Sequence, residues 1–342
     1  TFPKEGNNFS AVVMISGSGG QDRNEELLGH KPFLVISDYL TRNGIAVLRF
    51  DDRGIAQSTG NHDTATSEDF AKDVISAVEF LKERKEIDKT KDYVLFLHGF
   101  TGCAEDWFPV FEQMPDKYNY LSLDIVGHGK SDAPSNVSHY NIESIVTHIK
   151  YIKDHLSPNK IFLLGYSMGG RIALNYAVQY PDDLKGLILE SATAGIRNDD
   201  ERRKRYEEDL KLAEFIETHS LEEFIEMWND QELFNTQRRF SNDKLKKIKK
   251  KKASGSKIAY ANSLKGFSTG IMPPIHDKLK KIPLKVLLIT GDLDSKYTGI
   301  NARLAKRFFK AKHKIVRNSG HNTHLEEPKR FIEIVINYLG QF

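Results

Sequence analysis

A serine flanked by glycines, in the pentapeptide G-Y-S-M-G at residues 165–169, has the setting in this chain that points most directly to chemistry. An apolar run at 161–164 precedes it, and an Ala- and Leu-rich stretch at 172–177 follows it. This pattern predicts a strand, a tight turn and a helix, with Ser167 at the turn. Such a turn strains the serine backbone and needs glycines where neighbouring backbone comes close. An ordinary loop can show the same pattern, so the motif needs partners before it indicates a nucleophile.

An acid and a base follow the serine along the chain, each just beyond a predicted strand. The chain order is Ser167, Asp294, His321. Enzymes whose nucleophilic serine lies on such a turn have their serine, orienting acid and general base in this same order. His321 would take a proton from Ser167, and Asp294 would hold the imidazole in the required tautomer and stabilise its charged form. Asp292 is the rival acid. We favour Asp294 because it lies further into its loop, where a carboxylate reaches back to the histidine.

A glycine-containing loop supplies the fourth part of this predicted site. It reads H-G-F-T-G at residues 98–102 and follows a predicted strand at 93–97. In enzymes of this kind, one backbone N–H of such a loop and the N–H after the serine stabilise a developing oxyanion. We therefore expect the amides of Phe100 and Met168 to form an oxyanion hole.

Strands that alternate with helices must position these residues. The strands are expected at 93–97, 121–123, 161–164, 184–190, 286–290 and 314–316, and a C-terminal helix at 325–339. This alternation indicates an α/β protein with a mostly parallel sheet and helices on both faces. About 80 polar, helix-rich residues, about 196–275, precede the strand at 286–290. We expect them to form a helical lid over the strand ends that carry the site.

The first 90 residues repeat the beginning of this pattern. Strand, helix and strand are expected twice, near 11–54 and near 93–127, and each copy ends in a D-x-x-G-x-x-x-S motif. The first copy continues into a helix but stops before a serine turn, so we assign it no catalysis. The sequence thus predicts a segment 1–90 without a nucleophile and a catalytic domain 91–342. The segment either adds strands to the main sheet or is a chimeric appendage, and we favour the chimeric origin.

Composition and charge restrict the class of protein. Of the 342 residues, 39% are hydrophobic and 28% charged, and no apolar stretch approaches the length of about 18 residues that a membrane-spanning helix needs. A net charge of +3 is too small to indicate nucleic-acid binding. The basic run at 244–252 is more typical of a solvated helix face than of a surface that attracts an anionic substrate.

The cysteine content and the N-terminus bear on the compartment. Cys103 is the only cysteine, so an internal disulfide is excluded, which fits a reducing compartment. The first residues have no apolar signal region, and we expect a cytoplasmic protein. The chain begins with Thr1 rather than methionine, from which we expect either a fragment or a processed start.

Residues 93–342 resemble the 2-succinyl-6-hydroxy-2,4-cyclohexadiene-1-carboxylate synthases, a family of menaquinone biosynthesis in the α/β-hydrolase superfamily. The matching segments are F-L-H-G-F-T-G (96–102), D-I-V-G-H-G-K-S (124–131), G-Y-S-M-G-G-R (165–171), G-D-L-D-S-K-Y (291–297) and S-G-H-N-T-H-L-E (319–326). The superfamily shares the triad motifs, whereas the lid segment 261–270 and Arg171 carry the narrower resemblance. Residues 1–90 resemble the N-terminal part of a different, esterase-like α/β-hydrolase, through S-G-S-G and F-D-D-R-G.

The resemblance implies a small substrate with several carboxylates, held by cationic side chains. Arg171 and Arg205 match family arginines, and guanidinium groups suit carboxylates because they bind two oxygens at once. The resemblance also implies that Tyr166, Trp228 and Phe234 line the substrate pocket. Where family members often have a further lid arginine, this chain has its lysine run, which leaves the third carboxylate contact open.

The resemblance implies a lyase reaction that needs neither metal nor cofactor. The substrate is 2-succinyl-5-enolpyruvyl-6-hydroxy-3-cyclohexene-1-carboxylate, from which pyruvate is eliminated without an acyl-enzyme. One alternative is a serine carboxylester or C–C bond hydrolase with the same triad. A second alternative is an inactive chimeric binding protein whose site is blocked by the N-terminal piece. The sequence leaves the oligomeric state open.

Overall fold

A computed structural model describes residues 1–6, 8–17, 19–87, 91–156 and 159–342. The described residues form two compact units, Thr1–Lys91 and Asp92–Phe342. The first unit alternates two strands with two helices. These are β1 (Ser10–Met14), α1 (Pro32–Arg42), β2 (Ile45–Arg49) and α2 (Ser67–Glu83).

The second unit continues the alternation and contains a helical insertion. Up to the insertion its elements are β3 (Tyr93–Leu97), α3 (Phe108–Phe111), β4 (Asn119–Leu123), α4 (Ile142–Leu156), β5 (Ile161–Tyr166), α5 (Met168–Gln179) and β6 (Leu184–Glu190). The insertion contains α6 (Asp199–Thr218), α7 (Leu221–Asn229), α8 (Asn242–Ala253) and α9 (Lys257–Phe267). After it come β7 (Lys285–Gly291), α10 (Ser295–Ala305), β8 (Lys310–Val316), α11 (Thr323–Glu326) and α12 (Pro328–Leu339). Short 3-10 helices occur at Ala104–Trp107, Val137–Tyr140, Pro181–Asp183, Glu232–Arg239 and His276–Lys281.

Six strands of the second unit form one parallel sheet in the order β4-β3-β5-β6-β7-β8. Parallel strands end at the same edge of a sheet, so the loops after β3, β5, β6, β7 and β8 are close together. The predicted α/β-hydrolase fold with a mostly parallel sheet is confirmed. β1 and β2 pair with each other in parallel and form a separate two-stranded sheet.

The central strand β5 shows why the sheet forms where the sequence is apolar. All six of its residues are buried, and their sequence is I-F-L-L-G-Y. A strand covered by helices on both faces is apolar on both faces and therefore reads as a continuous run instead of an alternating one. On one face, Ile172 and Leu174 of α5 are fully buried in the same apolar cluster as Leu163. This packing holds the beginning of α5 rigidly at the end of β5.

The C-terminal helical segment is interrupted, in contrast to the single helix predicted over 325–339. α11 ends at Glu326, and α12 begins at Pro328. Glu327 between them has φ −135° and ψ 61°, which is not helical. A proline disfavours the helical conformation of the residue before it but fits the first turn of the helix that follows. The prediction of one helix was wrong because it overlooked Pro328.

The same turn follows β2 and β4, where the D-x-x-G-x-x-x-S motif is repeated. Asp51 Oδ1 accepts a hydrogen bond from the Arg23 amide at 2.7 Å, and Asp124 Oδ1 accepts one from the Ala104 amide at 2.6 Å. In each copy the other carboxylate oxygen accepts from the amide six residues later. The serine that ends each motif donates to the carbonyl of the same aspartate at 2.7 Å. The two units therefore share this local structure as well as their element order.

The insertion between β6 and β7 has a small core of its own. Residues from α6, α7 and α9 form a buried apolar cluster, which comprises Ala213, Ile216, Phe224, Ile225, Tyr260, Ala261 and Leu264. Serine side chains at the helix starts stabilise two of these helices, with Ser220 accepting from the Glu223 amide and Ser256 from the Ala259 amide. Among the residues that the structure describes, no helix is both long enough and apolar enough to cross a membrane.

Candidate active site

Ser167 occupies a strained turn between β5 and α5. Its φ of 50° and ψ of −104° are unusual for a residue with a side chain, and such strain occurs at functional sites. A Cβ at Gly165 would lie 2.3 Å from the Gly169 carbonyl oxygen, and one at Gly169 would lie 2.4 Å from the Leu97 oxygen. Both glycines are therefore required by close backbone contacts, as the G-Y-S-M-G motif predicted. The turn presents the Ser167 side chain at the carboxyl edge of the sheet.

The structure brings Ser167, His321 and Asp294 into one hydrogen-bonded chain. His321 Nε2 lies 3.0 Å from Ser167 Oγ, and His321 Nδ1 lies 2.7 Å from Asp294 Oδ2. The His321 and Asp294 side chains are almost completely buried. Asp292, the rival acid, is exposed and accepts a hydrogen bond from the Ser319 amide at 3.3 Å. The imidazole is thus held between a hydroxyl and a carboxylate, the geometry for proton transfer from Ser167.

Asp294 is fixed by its position at the start of α10. It is the N-cap residue of that helix, and its Oδ1 accepts a hydrogen bond from the Tyr297 amide at 3.0 Å. Its other oxygen remains free to accept from His321. The helix cap thus holds the Asp294 side chain in the orientation that presents Oδ2 to the imidazole.

The two amides predicted to form the oxyanion hole belong to Phe100, in the loop after β3, and to Met168, the first residue of α5. Neither donates a hydrogen bond to another described residue, and the Met168 amide belongs to the first turn of α5, where helix amides have no internal acceptor. Both residues line the same cavity as Ser167. Amides without acceptors at the wall of the cavity beside Ser167 are the kind of donors that stabilise an oxyanion.

His98 shapes the loop that contains Phe100 and is not a base. Its Nε2 accepts from the Ile125 amide at 3.1 Å, which leaves Nδ1 to donate to the Gly99 carbonyl at 2.8 Å. Burial lowers the pKa of His98, and burial next to His98 lowers the pKa of His128 to about 3. Both imidazoles are therefore neutral, with positioning roles in the loop.

Glu190, at the end of β6, connects the serine turn with the segment that carries His321. Its backbone carbonyl accepts from the Ser167 amide at 2.8 Å. Its buried carboxylate accepts from Thr323 Oγ1 at 2.7 Å, from the His324 amide at 3.0 Å and from His324 Nδ1 at 2.7 Å. The His324 ring stacks on Trp107, with centroids 4.1 Å apart. Sequence reasoning missed Glu190, whose only signal is its place at the end of a central strand.

A cavity of about 620 Å³ opens beside Ser167. This volume is within the range of about 300–1,000 Å³ that is typical of small-molecule sites. Its walls come from the triad loops on one side and from the lid on the other. The residues predicted to bind substrate all line it, namely Tyr166, Arg171, Arg205, Trp228 and Phe234. Among the described residues, no three His, Cys, Asp or Glu side chains are arranged to hold a metal ion.

Arg171 is a half-buried cationic side chain of this cavity whose charge is not compensated by a carboxylate of the described residues. Its Nη1 donates to the Phe267 carbonyl at 2.8 Å, and its guanidinium lies 4.4 Å from the centre of the Phe267 ring. Among the described residues, no carboxylate forms an ion pair with it. Burial lowers its pKa to about 10, with a smaller contribution from the nearby charge of Arg205. Arg171 is thus charged at neutral pH and lacks an anion.

Arg205, in contrast, has an acidic partner that the sequence did not reveal. Its Nε donates to Asp209 Oδ2 at 2.8 Å, one helical turn further along α6. Asp209 is buried and also accepts from Ser268 Oγ. The Arg205 side chain is 38% exposed and keeps donors free towards the cavity. Part of the Arg205 charge is thus neutralised by Asp209, in contrast to that of Arg171.

Trp228 and Phe234 are aromatic residues of the lid that lie close to the residues of the active site. Trp228 lies edge-on to Phe100, with centroids 5.2 Å apart, and 5.9 Å from Phe234. Phe234 in turn lies 6.5 Å from the His321 ring. The Trp228 indole N–H is buried and has no hydrogen-bond acceptor among the described residues. These rings exclude water from one side of the triad.

Lys251 and Lys252 of α8 pair with other side chains, whereas Lys246, Lys247 and Lys250 are exposed, as expected of a solvated helix face. Lys251 forms an ion pair with Asp106 at 2.8 Å, and Asp106 also accepts from the Cys103 amide at 2.9 Å. Lys252 donates to Asn229 at 2.8 Å and lies 5.0 Å from the Phe234 ring. Burial lowers the pKa of Lys252 to about 8. At least these lysines are therefore packing and pairing residues of the lid.

Two further cavity residues escaped the sequence analysis. Lys296 and Tyr297 line the cavity from the first turn of α10. Lys296 is exposed, and among the described residues it has no acidic partner. A signal was present, since both residues directly follow Asp294 in the segment G-D-L-D-S-K-Y. Their position in the first turn of α10 brings both residues to the cavity wall, which the spacing alone did not show.

Fold and site together define an α/β hydrolase, and the model of the alpha/beta hydrolase fold family matches residues 92–328. A protein of Bacillus subtilis (strain 168), provisionally named 2-succinyl-6-hydroxy-2,4-cyclohexadiene-1-carboxylate synthase, is 39% identical over 246 residues, which are 72% of this chain and 89% of that protein. The chain belongs to the family of these synthases.

Two further comparisons agree with this membership. The 2-succinyl-6-hydroxy-2,4-cyclohexadiene-1-carboxylate synthase of Enterobacter sp. (strain 638) is 30% identical over 236 residues, 69% of this chain and 87% of that protein. The solved structure of MenH from S. aureus matches with a TM-score of 0.71 and 29% identity, over 74% of this chain and 95% of that chain. Each match leaves about a quarter of this chain or more uncovered.

Proposed function

We propose that this protein eliminates pyruvate from 2-succinyl-5-enolpyruvyl-6-hydroxy-3-cyclohexene-1-carboxylate, which yields 2-succinyl-6-hydroxy-2,4-cyclohexadiene-1-carboxylate. The observation that carries the proposal is the pairing, in one cavity, of a Ser-His-Asp triad with a half-buried arginine that lacks a carboxylate partner among the described residues. A simple ester would need the triad but not the anion site. The names of the family members support the same reaction. The reaction requires no metal and no cofactor, and we place the enzyme in the cytoplasm.

The proton transfer follows from the triad geometry. His321 Nε2, 3.0 Å from Ser167 Oγ, takes the hydroxyl proton as Ser167 removes a proton from the ring carbon next to the succinyl ketone. Asp294, 2.7 Å from His321 Nδ1, stabilises the resulting imidazolium. The electron pair of the broken C–H bond passes through the ring double bond and expels the enolpyruvyl oxygen. The leaving group takes up a proton and becomes pyruvate.

The charge that develops during this step is placed on the ketone oxygen. The amides of Phe100 and Met168 are the donors available to that oxygen, because neither has another acceptor. A donor of this kind typically contributes about 10²–10³ in rate. Ser167 acts here as a proton-transfer residue, so no acyl-enzyme forms.

Cationic side chains of the cavity account for recognition of the polycarboxylate. Arg171 binds one carboxylate, since it is half-buried and has no anionic partner among the described residues. Arg205 contributes a second, weaker contact beside its partner Asp209. Lys296 takes the place of the third cationic contact, at the exposed side of the cavity. Tyr166, Trp228 and Phe234 pack against the apolar parts of the ring.

The decisive experiment compares two substrates. Pyruvate release from the enolpyruvyl substrate, prepared in situ, is measured beside hydrolysis of a p-nitrophenyl ester. We expect fast pyruvate release and a poor ester rate, and we expect Ser167→Ala to lower pyruvate release by about 10³-fold or more. Circular dichroism of Ser167→Ala serves as the folding control. Undiminished pyruvate release by this variant would refute the proposed role of Ser167.

The hydrolase alternative makes the opposite prediction. The hydrogen-bonded triad alone would also serve a serine carboxylester or C–C bond hydrolase. Fast ester hydrolysis without pyruvate release would favour that alternative. Inactivity on both substrates, together with a Ser167 that does not react with an organophosphate, would favour the binding protein.

A further inference from the structure

Tyr297 lies between the catalytic base and the arginines of the cavity. Its ring packs edge-on against His321, with centroids 4.4 Å apart and an interplanar angle of 64°. Its backbone amide donates to Asp294 at 3.0 Å, so that the helix cap fixes its position. The side chain lines the same cavity as Ser167 and Arg171. Tyr297 therefore contacts two triad residues and also faces the space where substrate binds.

The hydroxyl of Tyr297 has no hydrogen-bond partner among the described residues, although it lies near two guanidinium groups. The charges of Arg171 and Arg205 act on it and lower its pKa, but burial raises the pKa more strongly. The phenol thus stays protonated at neutral pH and is available as a donor. A donor beside two cations is in the position to bind an anion.

The buried carboxylates of the cavity already have their donors. Asp294 accepts from His321 and from the Tyr297 amide. Asp209 accepts from Arg205 and from Ser268. Neither needs the Tyr297 hydroxyl, which leaves a substrate group as its acceptor.

We propose that the Tyr297 hydroxyl donates a hydrogen bond to the substrate carboxylate that Arg171 binds. This inference rests on the proposed function, because it assumes a polycarboxylate substrate. It adds a specificity residue to that site. Since the Tyr297 ring packs on His321, the bound carboxylate is placed at a fixed distance from the base. Substrates without a carboxylate at this distance from the acidic C–H bond are then discriminated against.

Removal of the hydroxyl alone tests the proposal. Tyr297→Phe keeps the ring against His321, whereas Tyr120→Phe is a matched control, whose hydroxyl donates to Pro115 O instead of facing the cavity. Two quantities are measured, the KM for pyruvate release and the Kd of 2-succinylbenzoate by calorimetry. This probe is an aromatic analogue of the product that keeps both carboxylates. For Tyr297→Phe we expect both constants to rise about 10- to 100-fold with kcat within about twofold, because a hydrogen bond to a charged group is lost.

Tyr297→Ala separates the hydroxyl from the ring. It removes the support of His321 as well, so we expect kcat to fall in addition to the rise in KM. Unchanged KM and Kd in Tyr297→Phe would overturn the proposal, and so would a wild-type protein that does not bind the probe. If the wild type binds the probe but releases no pyruvate, the proposed function fails while the calorimetric comparison still decides the role of Tyr297.

Discussion

Arg171 combines a flat stacking contact with an uncompensated charge. The guanidinium rests on the Phe267 ring and donates to the Phe267 carbonyl, so the same lid residue holds it twice. Stacking covers one face of the guanidinium and leaves its remaining donors for a planar anion such as a carboxylate. A lysine has neither the planar face nor the paired donors.

Replacement of Arg171 separates charge from geometry. In Arg171→Lys the charge remains but the paired hydrogen bonds are lost, and we expect the KM for the polycarboxylate to rise about tenfold or more. In Arg171→Ala we expect a larger loss of turnover with the folded structure retained. Steady-state kinetics and a circular dichroism melt of both variants check this. A collapse of the melt in Arg171→Ala would show instead that the arginine is structural.

The lowered pKa of Arg171 also predicts a pH dependence. The cation is fully present below about pH 9 and is lost as the pH rises through about 10. Affinity for 2-succinylbenzoate should therefore fall between pH 9 and pH 10.5, and the fall should be smaller in Arg171→Gln, which has no charge to lose. Calorimetric titrations across this range measure it. Parallel curves for the two proteins would assign the decrease to other groups.

At the scale of residues, the sequence indicated the groups that chemistry restricts most narrowly. Ser167 and His321 follow from local motifs, because turn strain and chain order leave few alternatives. The partners of the charged groups could not be predicted from the sequence. Asp209 pairs with Arg205, and Tyr297 faces Arg171, through tertiary packing that spacing does not encode.

Among the elements, β6 has the closest connection to the chemistry. Its last residue, Glu190, accepts from the Ser167 amide through its backbone and from Thr323 and His324 through its side chain. The end of β6 therefore positions both the serine turn and the segment that carries His321. A buried carboxylate with this many donors is costly to alter, since each donor left unsatisfied costs about 1–3 kcal/mol.

Glu190→Gln tests this positioning role. The amide nitrogen cannot accept, so one donor of the His324 segment loses its partner, and His321 shifts with it. We expect kcat to fall about tenfold with little change in KM, because substrate contacts are untouched. Glu333→Gln on α12, where Glu333 forms an exposed ion pair with Arg330, is the matched control and should leave kcat unchanged. A rise in KM without a fall in kcat would contradict the positioning role.

The lid helix α8 contains a partly buried lysine, Lys252, that makes stability depend on pH. The pKa of Lys252 falls from 10.5 to about 8 in the folded state. Between these values the unfolded chain binds more protons than the folded chain, so the free energy of unfolding should rise with pH in this window, by about 1–3 kcal/mol. Below about pH 8 both states are protonated and this contribution is constant.

Urea denaturation of the wild type and of Lys252→Met at pH 7.5 and pH 10 measures the effect. The gain with pH should be smaller in Lys252→Met, which has no proton to release, while the other lysines titrate alike in both proteins. An equal gain in both proteins would mean that Lys252 is hydrated in the folded state.

The elements themselves were predicted where the hydrophobic pattern was long. Strands β3 and β6 begin and end where the sequence indicated, because buried strands are continuous apolar runs. The C-terminal helix was not predicted correctly, since Pro328 interrupts an otherwise periodic pattern. Lid packing was also beyond prediction, as Lys251 and Lys252 pair with residues far along the chain.

For the molecule as a whole, the chemistry is confined to one of two compact units. The triad, the amides of Phe100 and Met168 and the cavity walls all belong to Asp92–Phe342. The first unit repeats the turn at Asp51 but has no serine turn within its described residues. The division at residues 90 and 91 therefore remains our proposal for the boundary between an appendage and a catalytic domain.

A shortened chain tests that division. We expect residues 91–342 alone to fold and to release pyruvate with kcat and KM within about twofold of the full chain, because no cavity residue is removed. Circular dichroism and the pyruvate assay on both chains measure this. An insoluble or inactive shortened chain would show that the N-terminal unit is part of the catalytic fold.

Lys251 of α8 pairs with Asp106 in the loop after β3, next to the single thiol, Cys103. The reactivity of this thiol can therefore report on opening of the lid. Burial beside Asp106 raises the pKa of Cys103 to about 11, so at pH 8 only about a thousandth of it is reactive thiolate. Departure of α8 would hydrate the thiol and thereby speed its alkylation, because burial raises the pKa of Cys103 more strongly than the Lys251 ammonium lowers it. The rate at which iodoacetamide labels Cys103, followed by mass spectrometry, then measures how often the lid opens. We expect 2-succinylbenzoate to lower the labelling rate of Cys103. An unaltered rate would mean that opening of the lid is independent of occupation of the cavity.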